Sequence, residues 1–327
     1  MRKSTRNLSI VLVIVVSLRV WVGPQEVNAQ ASPALNASVS SASYPGRWDL
    51  TIKTPTQERP SWIELSEDKG RLQGLMVGLW GHATPTGEIQ IKDGEIEFSV
   101  PTGEGFPEGT RFNGRIARGE LAGTATTLDG ASWAWTGRRA PSLARKGTPG
   151  WGEPIRLFDG KDLAGWTFAD PTQASVWSVE DGTLVKQGRG SEIVTTSRFR
   201  DFRLHVEFNC GPMANSGVYL RGRYEVQIET NAAQEPPNRR MGAVYGFIAP
   251  EPAAPRTPNI WQSYDITLVG RTVTVIHDGR TVIDRREIPG VTGGAIDTRE
   301  DSPGPIYLQG TEDGRVAFRN IVITPAQ

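Results

Sequence analysis

Two glutamates, an arginine and a glutamine occupy alternate positions in two nearby stretches. Glu207 lies in "FRLHVEF", and Arg221, Glu225 and Gln227 lie in "NSGVYLRGRYEVQIE". A pair of carboxylates can serve as general acid and base, a guanidinium stabilises a developing anion, and an amide hydrogen-bonds hydroxyls. Alternation with period two marks a strand with one buried face. In the first stretch Phe202, Leu204, Val206 and Phe208 share a face, leaving Arg203, His205 and Glu207 on the other. In the second, Tyr224, Val226 and Ile228 can all face a core, with Glu225, Gln227 and Glu229 opposite. Consecutive strands are usually neighbours. Glu207, Arg221, Glu225 and Gln227 are therefore expected together, as the floor of a groove. The competing assignment is a solvated face of cross-strand ion pairs, worth about 0.2–1 kcal/mol each. It suits Arg203, Arg223 and Glu229 better.

The rest of the chain supplies sheet to hold such a row. Asp-Gly pairs, which provide the positive φ angles of tight hairpins, begin at Asp93, Asp129, Asp159, Asp181, Asp278 and Asp313. No stretch sustains an apolar period near 3.6, so the chain is expected to be all-β with antiparallel hairpins. At 327 residues it exceeds what one core usually supports. The stretch "RRAPSLARKGTPGWGEP" has no alternation and is rich in Pro, Gly and charge, which predicts a linker over residues 139–154. Before it, residues 44–138 divide into roughly seven short strands, the pattern of a small meander barrel or sandwich. No chemistry is assigned to that domain. His82 and its tryptophans have no motif around them and are read as packing residues.

Lys plus Arg equals 36 and Asp plus Glu equals 36, so no overall field steers the protein to nucleic acid. The single cysteine, Cys210, precludes an intramolecular disulfide. The N-terminus has a basic start, the apolar run "LSIVLVIVVSL" and a Val-Asn-Ala ending, the plan of an export signal over residues 1–29. The run is too short to span a bilayer, so a stable membrane anchor is not expected. Residues 30–43 are small and polar and are expected to be disordered. The location implied is periplasmic or secreted.

From residue 155 the chain resembles a bacterial family, the 3-keto-disaccharide hydrolase-like domain. The likeness rests on "LFDGKDLAGW", "WSVEDGTL", "DFRLHVEF", "NSGVYLR", "YEVQIE", "GAVY", and "YLQG" followed by "FRNIVI", in that order. The sequence departs from the usual pattern in "NIWQSY", where Gln262 replaces a common Asn, and in "TEDG" after "LQG", where many members have a His. The resemblance implies a concanavalin A-like jelly-roll sandwich over residues 155–327 and action on sugars oxidised to a ketone at C3. A ketone there acidifies the C2 proton, so a base can remove it and expel the C1 substituent, after which water adds back.

In that chemistry Glu207 and Glu225 are the candidate acid and base, and Arg221 the anion stabiliser. Asn215, Gln227 and Gln309 would bind hydroxyls, and Tyr245 or Trp261 would stack on the ring. Direct acid/base hydrolysis by the same carboxylates is a second mechanism. No cofactor is evident, and a divalent metal held by Glu207 and Glu225 is an open alternative. The expected partner is a small carbohydrate. A non-catalytic carbohydrate-binding module is the competing function, since sandwiches of this kind host both.

Overall fold

The computed structural model describes residues 43–230, 234–312 and 314–327. The export signal expected at 1–29 and nearly all of the 30–43 segment lie outside these residues. Among the described residues no helix is long and apolar enough to cross a membrane.

Hairpins dominate because the turn chemistry demands them. At Asp93-Gly94, Asp181-Gly182 and Asp278-Gly279 both residues have positive φ, as a two-residue hairpin of the twisted type requires. Lys69-Gly70 and Arg118-Gly119 do the same work. Only their glycines hint at it in the sequence.

Nine antiparallel strands between Gly46 and Arg139 form one sheet. The first, Gly46–Lys53, pairs with both Glu58–Asp68 and Ser132–Arg139. The two edges, Ala83–Pro85 and Gln90–Lys92, are consecutive in the chain. The short connection bridges them, with Thr86 N donating to Gly74 O and Gly87 N to Ser99 O, both at 2.9 Å. The sheet thus curls into a barrel-like body around Trp48, Leu50, Phe98, Phe112 and Trp135.

The remaining strands form a sandwich of an eight-stranded and a five-stranded antiparallel sheet. Phe202, Leu204, Val206 and Phe208 from the larger sheet face Val218, Leu220, Val226, Ile228 and Leu308 from the smaller. Each such side chain contributes about 1.5–3 kcal/mol by leaving water, which fixes the register against a one-residue slip.

The curled sheet rests on the sandwich. Trp62 and Val77 pack with Val291 and Ala295, and the Trp62 ring meets Phe247 edge to face at 5.2 Å. Arg47 pairs with Glu287 at 2.9 Å, and Arg138 Nη2 donates to Thr298 O at 2.7 Å. The connecting segment also lies against the sandwich, where Arg145 pairs with Asp201 and Arg271 Nη2 donates to Pro141 O. The described residues accordingly belong to one compact unit.

Candidate active site

The five-stranded sheet presents its polar residues in rows set by strand register. Val194, Tyr307, Tyr219 and Glu225 face one another across four strands. The next row on the same face is Gln309, Gly217 and Gln227, and Asn215 opposes Glu229 beyond it. The Glu225 side chain lies over Gly217 in the middle of this floor, since a Cβ there would collide with its carboxylate.

Glu225 is buried, and burial pushes its carboxyl up to about 8 against the opposing effect of the Tyr219 hydrogen bond. The Tyr219 hydroxyl lies 2.9 Å from both Glu225 Oε2 and Gly293 O. It donates to the carboxylate when Glu225 is ionised. When Glu225 is protonated it can accept from the carboxyl and donate to Gly293 O. Tyr219 stacks on Tyr307 at 4.5 Å, so the floor carries an aromatic pair beside the carboxyl. On the strands either side of Gly217, Gln227 Oε1 and Gln309 Oε1 are buried acceptors with no donor among the described residues. Such orphans are rare in folded proteins unless a ligand or water completes them.

The walls come from other segments. Gly242 to Tyr245 hydrogen-bonds along the free edge of the Tyr224–Glu229 strand, with Tyr245 N donating to Glu225 O at 3.0 Å. The Tyr245 phenol is pushed up to about 12 by burial and then by the nearby Glu225 and Glu104. At the far end Lys186 Nζ contacts Glu192 Oε1 at 2.9 Å, and Glu192 Oε2 accepts from Gly310 N. Burial raises the Glu192 carboxyl above its ordinary range.

Of the residues expected from sequence, Glu225, Gln227, Asn215, Gln309 and Tyr245 come together here. Gln227 Nε2 reaches Asn215 Oδ1 at 3.3 Å. Three others do not join them. Glu207 belongs to the eight-stranded sheet, because the Phe202–Cys210 strand pairs with Gln262–Val269 and Arg315–Pro325 instead of Asn215–Leu220. The chain crosses the sandwich between Cys210 and Asn215, so consecutive strands here are not neighbours. Glu207 is held outside by Arg319 and Asn320, both at 2.6 Å. Trp261 lies with it, its ring under the Arg319 guanidinium at 4.0 Å. Arg221 is past the strand end, in the turn with φ +55°, and is buried. Its guanidinium donates to Glu300 O, Gly270 O and the Tyr224 hydroxyl. A metal bridged by Glu207 and Glu225 is therefore not assembled. Among the described residues no group of three His, Cys, Asp or Glu is arranged to hold a metal ion.

The curled sheet contributes what the sequence did not indicate. His82 Nδ1 contacts Glu104 Oε1 at 2.6 Å, and His82 Nε2 is hydrogen-bonded to Arg239 Nη2. No local motif marks these residues, since His82 and Arg239 stand 157 positions apart. Tyr219 and Tyr307 were within reach of the alternation, as odd-numbered residues on the polar face.

A family model for the 3-keto-alpha-glucoside-1,2-lyase-like domain matches residues 153–324. A 3-keto-disaccharide hydrolase of Bacteroides thetaiotaomicron is 28% identical over 75 residues, 20% of this chain. That match spans 26% of the relative's own length, about a quarter. A solved candidate glycosyl hydrolase of Parabacteroides distasonis is 28% identical with TM-score 0.45, covering 56% of this chain and 93% of that one. A carbohydrate-binding module of Bacillus subtilis is 16% identical with TM-score 0.33, covering 48% and 93%.

Proposed function

The chain belongs, over residues 153–324, to the 3-keto-alpha-glucoside-1,2-lyase-like domain family, and we propose that it cleaves the glycosidic bond of 3-keto-glycosides. Its sandwich is a carbohydrate-active domain of glycosyl hydrolase-like kind. The observation that carries the finer reading is the buried polar cluster around Gly217. It combines a carboxyl held at about 8 with two buried amide oxygens that lack donors among the described residues. A sugar ring brings hydroxyl donors for the amides, and a 3-keto sugar brings an acidic C–H for the carboxylate.

In this mechanism ionised Glu225 takes the proton from C2, and the electron pair moves toward the C3 ketone as an enolate. Collapse of the enolate forms the C1–C2 double bond and breaks the C1–O bond. The departing oxygen takes a proton, which the Glu225 carboxyl now holds. Addition of water, with OH to C1 and H to C2, completes a net hydrolysis. Without that addition the reaction ends as an elimination. Tyr219 serves both protonation states of Glu225 by turning its own hydroxyl. Tyr307 and Tyr245 give the ring an aromatic surround. The basic start and short apolar run of the N-terminus support action outside the cytoplasm.

The test is incubation of the purified protein with a panel of 3-keto-glycosides and their unoxidised parents, with and without chelator. Release of the aglycone from the keto forms alone is the expected result. Equal cleavage of the parents would point to direct hydrolysis. Tight binding without turnover would support the carbohydrate-binding reading instead.

A further inference from the structure

The family match begins at residue 153 and leaves the curled sheet without a role. That sheet nevertheless sends one side-chain relay into the sandwich. Glu104 grips His82 twice, through Oε1 to Nδ1 at 2.6 Å and through Oε2 to the His82 backbone N–H at 3.0 Å. The loop is shaped for this grip. Gly81 has φ +84°, and a Cβ there would collide with the Glu104 carboxylate. Leu79 N donates to Glu104 O at 2.8 Å, fixing the backbone on the other side.

His82 then reaches across to the sandwich. Its Nε2 is hydrogen-bonded to Arg239 Nη2. Arginine can only donate, so Nε2 must accept, and the ring proton must sit on Nδ1, facing Glu104. Burial lowers the His82 pKa, Glu104 and Glu235 oppose that, and Arg239 reinforces it. The ring is thus a neutral spacer with both nitrogens engaged. Arg239 is fixed on three sides. Nη2 meets His82, Nη1 donates to Glu235 at 3.2 Å, and its backbone oxygen accepts from Gln227 Nε2 at 3.4 Å. Its Nε is buried without an acceptor among the described residues. Close contact of the two bodies here is enforced by Gly246, where a Cβ would lie 2.7 Å from His82 Cβ.

Building on the reading of the sandwich as a 3-keto-glycosidase, we infer that the N-terminal curled sheet is part of the active site. Through Glu104 and His82 it positions Arg239 as the cationic donor to the substrate's carbonyl oxygen. Glu104 and His82 are positioning residues, and Arg239 is the catalytic one. It takes the role that Arg221 cannot fill from its turn. Removal of the proton at C2 places negative charge on the C3 oxygen, and a pre-set guanidinium stabilises that charge without reorganising.

The experiment uses the full chain and three variants. His82→Gln keeps a donor for Glu104 and an acceptor for Arg239, His82→Leu keeps neither, and Arg239→Lys loses the planar fork. On a 3-keto-glycoside, His82→Leu should lower kcat by about 10²-fold, in line with the loss of one oxyanion donor, and Arg239→Lys at least as much. His82→Gln should recover most of the loss. A second readout needs no substrate. With three histidines in the chain, nitrogen-15 NMR can assign His82. It should be neutral and carry its proton on Nδ1 at pH 7, in the parent and in Glu104→Gln alike, because Arg239 still donates to Nε2. Unchanged kcat in His82→Leu, equal loss in both His82 variants, or a proton on Nε2 would overturn the inference. Should the parent protein cleave no 3-keto-glycoside, the functional reading fails by itself, and the NMR result alone upholds or overturns the link from His82 to Arg239.

Discussion

The sandwich has two outer faces built from the same alternating code, and they have opposite electrostatics. On the eight-stranded sheet Glu207 is partly exposed. Burial works to raise its carboxyl, but Asn320, Arg319 and His205 together hold it below the ordinary range. His205 Nδ1 pairs outward with Asp265 at 2.7 Å. On the five-stranded sheet Glu225 is buried with no ion pair among the described residues, and its carboxyl rises to about 8. The difference lies in what covers each face. The 242–247 segment and the 290–295 loop, on which the curled sheet packs, close over Glu225, whereas no segment among the described residues covers Glu207 in this way. A polar row on a strand becomes a site only when another part of the chain excludes water from it.

The largest effect should come from confusing the faces themselves. Val226 is buried in the sandwich core, one residue from Glu225. Val226→Asp places an unpaired charge there and should destabilise by about 3–5 kcal/mol, leaving little folded protein. Circular dichroism melting checks this. A Val226→Asp protein that melts like the parent would reverse the assignment of the strand.

Glu225→Gln should come next. It keeps the shape of the carboxyl and removes the proton carrier, so turnover on a 3-keto-glycoside should fall ~10²–10⁴-fold. Its melting temperature should hold or rise, since a neutral amide suits a buried site. In the parent, kcat/KM should climb as pH passes about 8, where the Glu225 carboxyl ionises in the free protein. A falling limb at that pH would make Glu225 the acid instead of the base.

Much of this contrast was legible in the sequence, and its limit is physical. Alternation in "YEVQIE" placed Tyr224, Val226 and Ile228 in the core and Glu225 and Gln227 opposite, because side-chain period is local. The Asp-Gly hairpins at Asp93, Asp181 and Asp278 were legible for the same reason, whereas Asp159-Gly160 joins strands of different sheets and Asp313 lies outside the described residues. Sheet membership was not. "FNCGPMANSG" contains no sign that the chain leaves one sheet and enters the other, so Glu207 and Glu225 looked like neighbours. Arg221 continued the polar alternation by residue type but not by conformation, since the strand stops at Leu220. Covering is the least local property of all. Nothing near His82 or Glu104 announces Arg239, and only the docking of the two bodies joins them.

The two faces should also respond to pH in opposite directions. Glu225 has a folded pKa above its unfolded value, so its contribution to stability is complete below the unfolded value. That contribution is lost as pH rises through about 8. Asp49 adds to the same trend. Burial, and then the neighbouring Glu300, push it up to about 8 where the curled sheet meets the sandwich. Asp49→Asn and Glu225→Gln should each flatten the alkaline fall in melting temperature. Persistence of the full fall in both variants would show that neither carboxyl is held neutral.

Glu207 should give the smallest effect and the opposite sign. Its folded pKa is depressed, so its contribution is present above the unfolded value and lost as pH falls through the folded one. Arg319 and Glu207 are both partly exposed, and such pairs are worth about 0–1 kcal/mol because water screens them and ordering two long side chains costs entropy. Glu207→Gln should therefore lower stability slightly near neutral pH and not at all in acid, with turnover changed less than about threefold. A double-mutant cycle with Arg319→Ala isolates the pair. Arg319 also covers the Trp261 ring, so the single Arg319 variant loses a cation–π contact that Glu207→Gln retains. A coupling well above 1 kcal/mol, or a large loss of turnover in Glu207→Gln, would mean that the outer face works with the groove after all. The contrast between covered and uncovered carboxylates would then no longer explain which of them does chemistry.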